Sequence, residues 1–192
     1  RIGFDLGASD RKVAAVIDGE TVYSNEVEWD PKPQTDPQWH YDQINESLKD
    51  AASHLPRVDA IGGSVAGIYV NNRVQIASLF RGVDPGDFEA RVKPLFLLLR
   101  DEWGVPFELA NDGEVTALAG SMSIDANGVL GVAMGSSEAA GYVNPRGNIT
   151  SWLNELAFAP VDYNPAGPID EWSGDQGGGA LYFSQQCTAR LH

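Results

Sequence analysis

Short apolar runs broken by small and acidic residues open the chain. Residues 2–10 read as an apolar run that reaches Asp5 and turns at once through Gly7, Ala8 and Ser9. Residues 12–17 resume as a second apolar run, and Asp18-Gly19-Glu20 turns it. A strand, a tight polar turn and a return strand form a hairpin. Residues 21–29 alternate as a third strand, and 30–36, holding Pro31 and Pro33 with Pro37 next, read as a loop. Ile44, Leu48, Ala51, Ala52 and Leu55 recur at helical spacing, predicting a helix over 41–55. Residues 58–65 read as a buried strand that ends in the small-residue turn Gly62 to Gly67. A second amphipathic helix is predicted over 87–103, stopped by Gly104. A short strand at 107–110 leads through Asn111 and Asp112 into a third helix over 114–122. Strands at 129–134 and 139–143 pair through Gly135-Ser136-Ser137, residues 144–148 make another turn, and 162–179 is rich in Pro and Gly. A closing helix is predicted over 180–191.

Hairpins followed by strand–helix units predict an α/β protein with a mixed sheet. The hairpin pattern occurs twice, once around Gly7 and once around Gly135, which suggests two half-domains facing a cleft. A turn with a carboxylate at a strand end and N–H groups freed by small residues can hold a phosphate and a divalent cation together. An ordinary hairpin with a polar tip fits the same residues.

Composition narrows the function classes. The 192 residues have ordinary apolar content, enough for a real core. A formal charge of −14 speaks against nucleic acid, whose phosphates call for Lys and Arg, and against an anionic membrane surface. The single cysteine, Cys187, forms no intrachain disulfide. No apolar run is long enough to span a bilayer. A cytoplasmic protein is the expectation, although the chain starts at Arg1 without a methionine. His40, His54 and His192 fit no ligand spacing and read as surface residues.

Six segments in order resemble the ROK sugar kinases (repressors, open reading frames and kinases) of the sugar kinase, actin and heat-shock ATPase superfamily. Residues 3–8, Gly-Phe-Asp-Leu-Gly-Ala, resemble the first phosphate motif, and 61–67 the strand and glycine turn ahead of the sugar loop. Residues 110–120, Ala-Asn-Asp-Gly-Glu-Val-Thr-Ala-Leu-Ala-Gly, resemble the Asn-Asp signature, and 132–137 the second phosphate motif. Residues 154–158 resemble the Gly-Glu-x-Gly-His segment, and 173–184 the cysteine-rich stretch. The resemblance implies a ribonuclease H-like (actin-like ATPase) fold with mixed sheets flanked by helices. It implies a first half-domain over 1–112 and the start of a second, incomplete one over 113–192, since the family continues through an adenosine-binding segment and a long closing helix.

The resemblance also implies roles. Asp112 is the general base that accepts the proton of an attacking hydroxyl, or else a plain helix cap. Asn111, Glu155 and Gly67 bind the sugar, or else Asn111 is a turn residue and Glu155 a solvent-facing carboxylate. Asp5 holds Mg²⁺ through water, while Gly7 and Ala8, with Gly135, Ser136 and Ser137, cradle the phosphates of ATP. Lys12 points into solvent or reaches phosphate. The expected ligands are a sugar and a nucleotide, with no nucleic acid and no membrane. A homodimer through the second half is expected from Trp152, Phe158, Tyr163 and Trp172. The departures from the family pattern count as well. Its zinc-binding histidine falls on Phe158 and its cysteines on Glu171, Ser173 and Gly178, so no structural zinc is expected. Its second sugar-binding glutamate falls on Ala180, and the histidine replaced by Phe158 also contacts sugar in the family, so two sugar hydrogen bonds are expected to be missing. Without zinc, Gly177-Gly178-Gly179 would be held by packing and turns alone and is a candidate mobile loop. The leading reading is an ATP-dependent kinase of a hexose or amino sugar. The alternatives are a non-catalytic sugar or nucleotide sensor and an ATPase with a non-sugar acceptor.

Overall fold

A computed structural model of the chain describes residues 1–135, 137–150, 155–171 and 173–191. The chain divides into two compact units, Arg1–Ala110 and Asn111–His192.

The first unit is built on β1 (Ile2–Leu6), β2 (Asp10–Ile17) and β3 (Glu20–Glu28), a meander in which β2 pairs antiparallel with both neighbours. Helix α1 (Pro37–Ala52) follows, then β4 (Ile61–Val65) and a small hairpin of β5 (Ile68–Val70) and β6 (Arg73–Ile76). A short helix α2 (Pro85–Asp87) runs into a π-helical turn at Phe88–Val92, and α3 (Leu95–Trp103) and β7 (Phe107–Ala110) complete the unit. The sheet order is β3-β2-β1-β4-β7, with β4 parallel to both β1 and β7. The sheet is therefore mixed.

Alternation along β1 sends Ile2, Phe4 and Leu6 into the core. There they join Ile44 and Leu48 of α1, Phe96 and Leu99 of α3, and Phe107 of β7, none more than 5 % exposed. Each such side chain contributes about 1.5–3 kcal/mol by leaving water. Phe4 stacks on Phe96 and tilts against Phe107.

Local chemistry moves some element boundaries. Helix α1 begins at Pro37, not at 41, because the Asp36 side chain accepts from the Gln38 N–H and Pro37 takes the first helical turn. The helix expected over 87–103 is broken: the π-helical turn ends at Val92, and Pro94, which has no N–H to donate, precedes α3. The expectation that His40 lies on the surface is overturned. It is fully buried, one turn before Ile44 on the core face of α1, edge-on to Trp39 and Phe80. His54 is exposed and stacks on Tyr23, and His192 lies outside the described residues.

The second unit begins with α4 (Asp112–Ile124) and a two-stranded sheet of β8 (Val129–Met134) and β9 (Glu138–Val143). Helix α4 lies flush on this hairpin. A Cβ built on Gly131 would meet the Ala117 backbone at 2.5 Å, and one on Gly113 would meet the Ala140 backbone at 2.6 Å. Beyond residue 154, single 3-10 turns at Leu156–Phe158 and Gly179–Leu181 precede α5 (Gln185–Leu191). The helix expected over 180–191 is thus a turn and a shorter helix. Among the described residues, no helix is long and apolar enough to cross a membrane.

Candidate functional site

The Asn-Asp signature sits where β7 ends and α4 begins. Asn111 is the helix cap: its Oδ1 accepts from the Gly113 N–H at 2.9 Å, and the Glu114 carboxylate accepts from the Asn111 N–H at 3.2 Å. This is a capping box, legible in the sequence as Asn111-x-x-Glu114. Burial raises the Glu114 pKa, against the lowering effect of its bond to the Asn111 backbone. Asp112 is the first helical residue and not the cap. Its Oδ1 accepts from the Gly113 N–H at 3.1 Å, its carbonyl accepts from the Thr116 hydroxyl, and its side chain is half-buried. A carboxylate on the first turn lies at the positive end of the helix dipole. The Asn111 Nδ2 donates to the Glu155 Oε1 at 2.7 Å, so two candidate sugar-binding residues far apart in sequence meet beside Asp112.

The turn after β1 is closed by the Gly7 N–H donating to the Asp10 carbonyl at 2.9 Å, and the Trp29 indole N–H donates to the Gly7 carbonyl. The backbone N–H groups of Ala8 and Ser9 have no protein partner among the described residues, which leaves two donors side by side at the tip. Asp5 is half-exposed at the end of β1. Lys12 does not simply point into solvent. Its ammonium pairs with Asp10 and lies 3.8 Å from both Asp5 and Glu26. The bond to Asp10 raises the Lys12 pKa and lowers that of Asp10. The Lys12 ammonium already faces Asp10 and Asp5, so a Mg²⁺ at this turn would compete with it and be held through water by Asp5, and the two N–H groups suit an anion.

The turn after β8 is built differently. The Gly135 N–H donates to the Ser137 carbonyl at 2.9 Å, and the Gly135 carbonyl accepts from the Gln185 N–H. Ser136 lies outside the described residues, and Ser137 is exposed. Glu138, which the motif reading passed over, is 7 % exposed, and its carboxylate lies against Gly179; burial raises its pKa. No signal in the sequence marks it, since an acid at a strand start is ordinary.

Gly67 stands just before β5, in the first unit. In the second unit, Phe158 is 38 % exposed, Ala180 is buried and Tyr163 is 84 % exposed, while Trp152 and Trp172 lie outside the described residues. The donor set at Phe158, Glu171, Ser173 and Gly178 holds neither thiolate nor imidazole and does not fit a structural zinc. Hydrogen bonds tie this stretch instead. The Gly177 carbonyl accepts from the N–H groups of Val161 and Asp162, the Gly177 N–H donates to Pro168, and the Gly179 N–H donates to Ala159. The Gln176 amide donates to the carbonyls of Pro165 and Gly167, and the Tyr182 hydroxyl donates to Asp162. The glycine run is therefore bonded at both ends and buried from Gly177 to Gly179, unlike a free loop.

No protein-family model and no curated protein matches the chain. Solved structures do. A ROK family glucokinase from Streptomyces griseus, in complex with glucose and AMPPNP, superposes with a TM-score of 0.77 at 20 % identity over 98 % of this chain and 58 % of its own. A ROK hexokinase from Thermus thermophilus gives 0.69 at 18 %, over 99 % and 63 %. A ROK family transcriptional regulator, a homologue of the E. coli MLC protein, gives 0.70 at 22 %, over 99 % and 49 %. The chain has the ROK fold. That is the actin-like ATPase architecture implied by the six motifs, and this chain spans about half to three fifths of those structures' own lengths.

Proposed function

We propose that the protein is a ROK family member that transfers the γ-phosphate of ATP to a hydroxyl of a hexose or amino sugar. The observation that carries this reading is the Asn111–Glu155 hydrogen bond beside Asp112 at the start of α4. An amide and a carboxylate fixed to each other offer donors and acceptors to neighbouring sugar hydroxyls, and the adjacent carboxylate can take a hydroxyl proton. Phosphoryl transfer depends chiefly on such positioning and on charge neutralisation. Asp5 is assigned to Mg²⁺ through water, and the cation would neutralise the transferring phosphate. Gly7, Ala8, Gly135, Ser136 and Ser137 are assigned to the nucleotide phosphates, with Ala8 best placed because its N–H is unengaged. Gly67 is assigned to the sugar loop.

The test is an ADP-release assay across glucose, mannose, N-acetylglucosamine and N-acetylmannosamine. Turnover with at least one sugar, lost by about two to four orders of magnitude in Asp112→Asn, is the expected result. Equal rates for Asp112→Asn and the wild type would remove Asp112 as the base.

A second reading, a non-catalytic sugar or nucleotide sensor, is favoured by two sugar-contact positions that carry Phe158 and Ala180 and by the likeness to a transcriptional regulator. Sugar binding without turnover in the wild type would select it.

A further inference from the structure

The β5–β6 hairpin is held at its tip by one side chain. Its two-residue turn is Asn71-Asn72, with φ of 51° and 59°, the paired left-handed residues of a type I′ turn. Asn71 is exposed, whereas Asn72 is 8 % exposed and reaches the outer edge of β7. Its Nδ2 donates to the Phe107 carbonyl at 2.8 Å, and its Oδ1 accepts from the Leu109 N–H at 2.9 Å. β7 is the last strand of its sheet, so these two groups face away from β4. One amide thus stands in for a further strand, satisfying a donor and an acceptor that would otherwise be buried unpaired.

A ribbon of three and four residues is marginal without outside ties. Its ties include Tyr69 edge-on to Phe96, the buried Val74 with its N–H bonded to the Lys93 carbonyl, and Asn72 on β7. The base of the ribbon is Gly67, at φ 123°, where a Cβ would meet the Ile76 carbonyl at 2.5 Å and the Ala77 methyl at 2.7 Å. The strand gripped at the tip runs on through the chain into Asn111 and Asp112. Asn72 therefore ties the hairpin that follows Gly67 to β7, both within the first unit.

We propose that Asn72 is a positioning residue for sugar binding: its amide latches the hairpin at whose base Gly67 lies onto β7, and so fixes Gly67 within the first unit. The inference rests on the sugar-binding reading above. Asn72→Gly isolates the amide, because glycine adopts the left-handed turn without strain. Two measurements are made, with the sugar of the four-member panel that the wild type uses best. Hydrogen exchange of the Leu109 amide reads the latch itself and should accelerate at least tenfold in Asn72→Gly. Steady-state kinetics read its consequence: the sugar KM should rise about tenfold while kcat at saturating sugar changes less than twofold. Asn72→Asp retains the acceptor for Leu109 but sets a charged oxygen against the Phe107 carbonyl, and its KM should rise at least as far.

An unchanged Leu109 exchange rate overturns the latch. Faster exchange with an unchanged KM in both variants overturns its role in sugar positioning. If the wild type binds sugar without turnover, the dissociation constant from calorimetry replaces KM, with the same tenfold rise expected. A wild type that binds none of the four sugars refutes the sugar-binding reading itself, an outcome distinct from either result on Asn72.

Discussion

The β1–β2 and β8–β9 hairpins begin from similar patterns and end in different interiors. Both pair antiparallel, and both turn through small residues, at Gly7 and Gly135. β1 is flanked on both sides, by β2 and β4, and its alternate residues Ile2, Phe4 and Leu6 are buried among phenylalanines. β8 pairs only with β9 among the described residues, and its face with Leu130, Val132 and Met134 is 65 %, 41 % and 65 % exposed. The opposite face receives α4 through Gly131 and Ala117, backbone nearly on backbone. One hairpin is held by apolar volume and the other by closeness of approach. Interiors of the first kind are hurt by lost atoms, and those of the second by added ones.

The largest effect that follows is on the first hairpin. Phe96→Ala removes a fully buried ring stacked on Phe4 and should cost about 3–5 kcal/mol. Urea unfolding checks it, with hydrogen exchange of β1 amides locating the damage in the first unit. Next comes Gly131→Val in the second, which drives a branched side chain into the Ala117 backbone and should cost about 1–3 kcal/mol. Its signature is faster exchange in α4 and β8 with β1 unchanged. If Gly131→Val were neutral, the flush packing of α4 would not hold in solution.

The same contrast decides what the sequence could show. Periodicity and turn chemistry placed the first hairpin, β7, α4, β8 and β9, because those signals are local. The capping residues and Pro94 also carried information, for the true start of α1 and for the break before α3, that the periodic apolar pattern alone obscured. The β5–β6 hairpin passed unseen, since strands of three and four residues around Asn-Asn give little alternation, although Asn71 and Asn72 tolerate the left-handed turn they form. Asn111 and Asp112 were legible as a pair, and the spacing Asn111-x-x-Glu114 marks Asn111 as the cap, which the Gly113 N–H geometry bears out. The Asn111–Glu155 bond joins residues 44 apart in sequence; the family resemblance put both at the sugar, but no local pattern in either segment shows that they bond each other. His40 was misplaced for a simple reason: its spacing to Ile44 fits the core face, and a polar residue type outweighed the spacing.

Acid should separate the two units again, by a smaller amount. Burial lowers the His40 pKa, with the backbone at Gln34 and the Asp36 carboxylate pulling the other way. The folded first unit therefore binds its proton later than the unfolded chain, which takes one as pH falls through about 6.5. The stability from neutral His40 is present above that pH and lost below it. Glu138 and Glu114 have raised pKa values, so their contribution is present at acid pH and lost as pH rises through those folded values. Acidification from pH 7 should loosen the first unit and tighten α4 on β9, as read by amide protection in α1 against β9, while Asp162, held low by the Tyr182 hydroxyl, works the other way in its own segment. His40→Phe should flatten the first trend and Glu138→Gln the second. A first-unit trend unchanged in His40→Phe would mean that His40 does not titrate with unfolding.

The smallest effect bears on the open face of β8. Leu130 is 65 % exposed, on the side opposite α4, so little of its apolar surface leaves water on folding. Leu130→Thr keeps a residue that suits a strand and removes exposed hydrocarbon, and surface changes of this kind stay within about 0.5 kcal/mol. The matching change in the first unit, Ile2→Thr, starts from a side chain 2 % exposed and puts a hydroxyl into an apolar interior. There the lost burial and the hydroxyl's desolvation add, for a cost of about 1–3 kcal/mol. Both substitutions put threonine on a strand in place of a branched four-carbon aliphatic side chain, so the difference in their unfolding midpoints chiefly measures how unequally two similar strands are covered. Equal costs would mean that something covers Leu130 in solution. Sedimentation of the wild type beside Leu130→Thr then identifies it: a dimer that dissociates in the variant makes the cover a second copy of the chain.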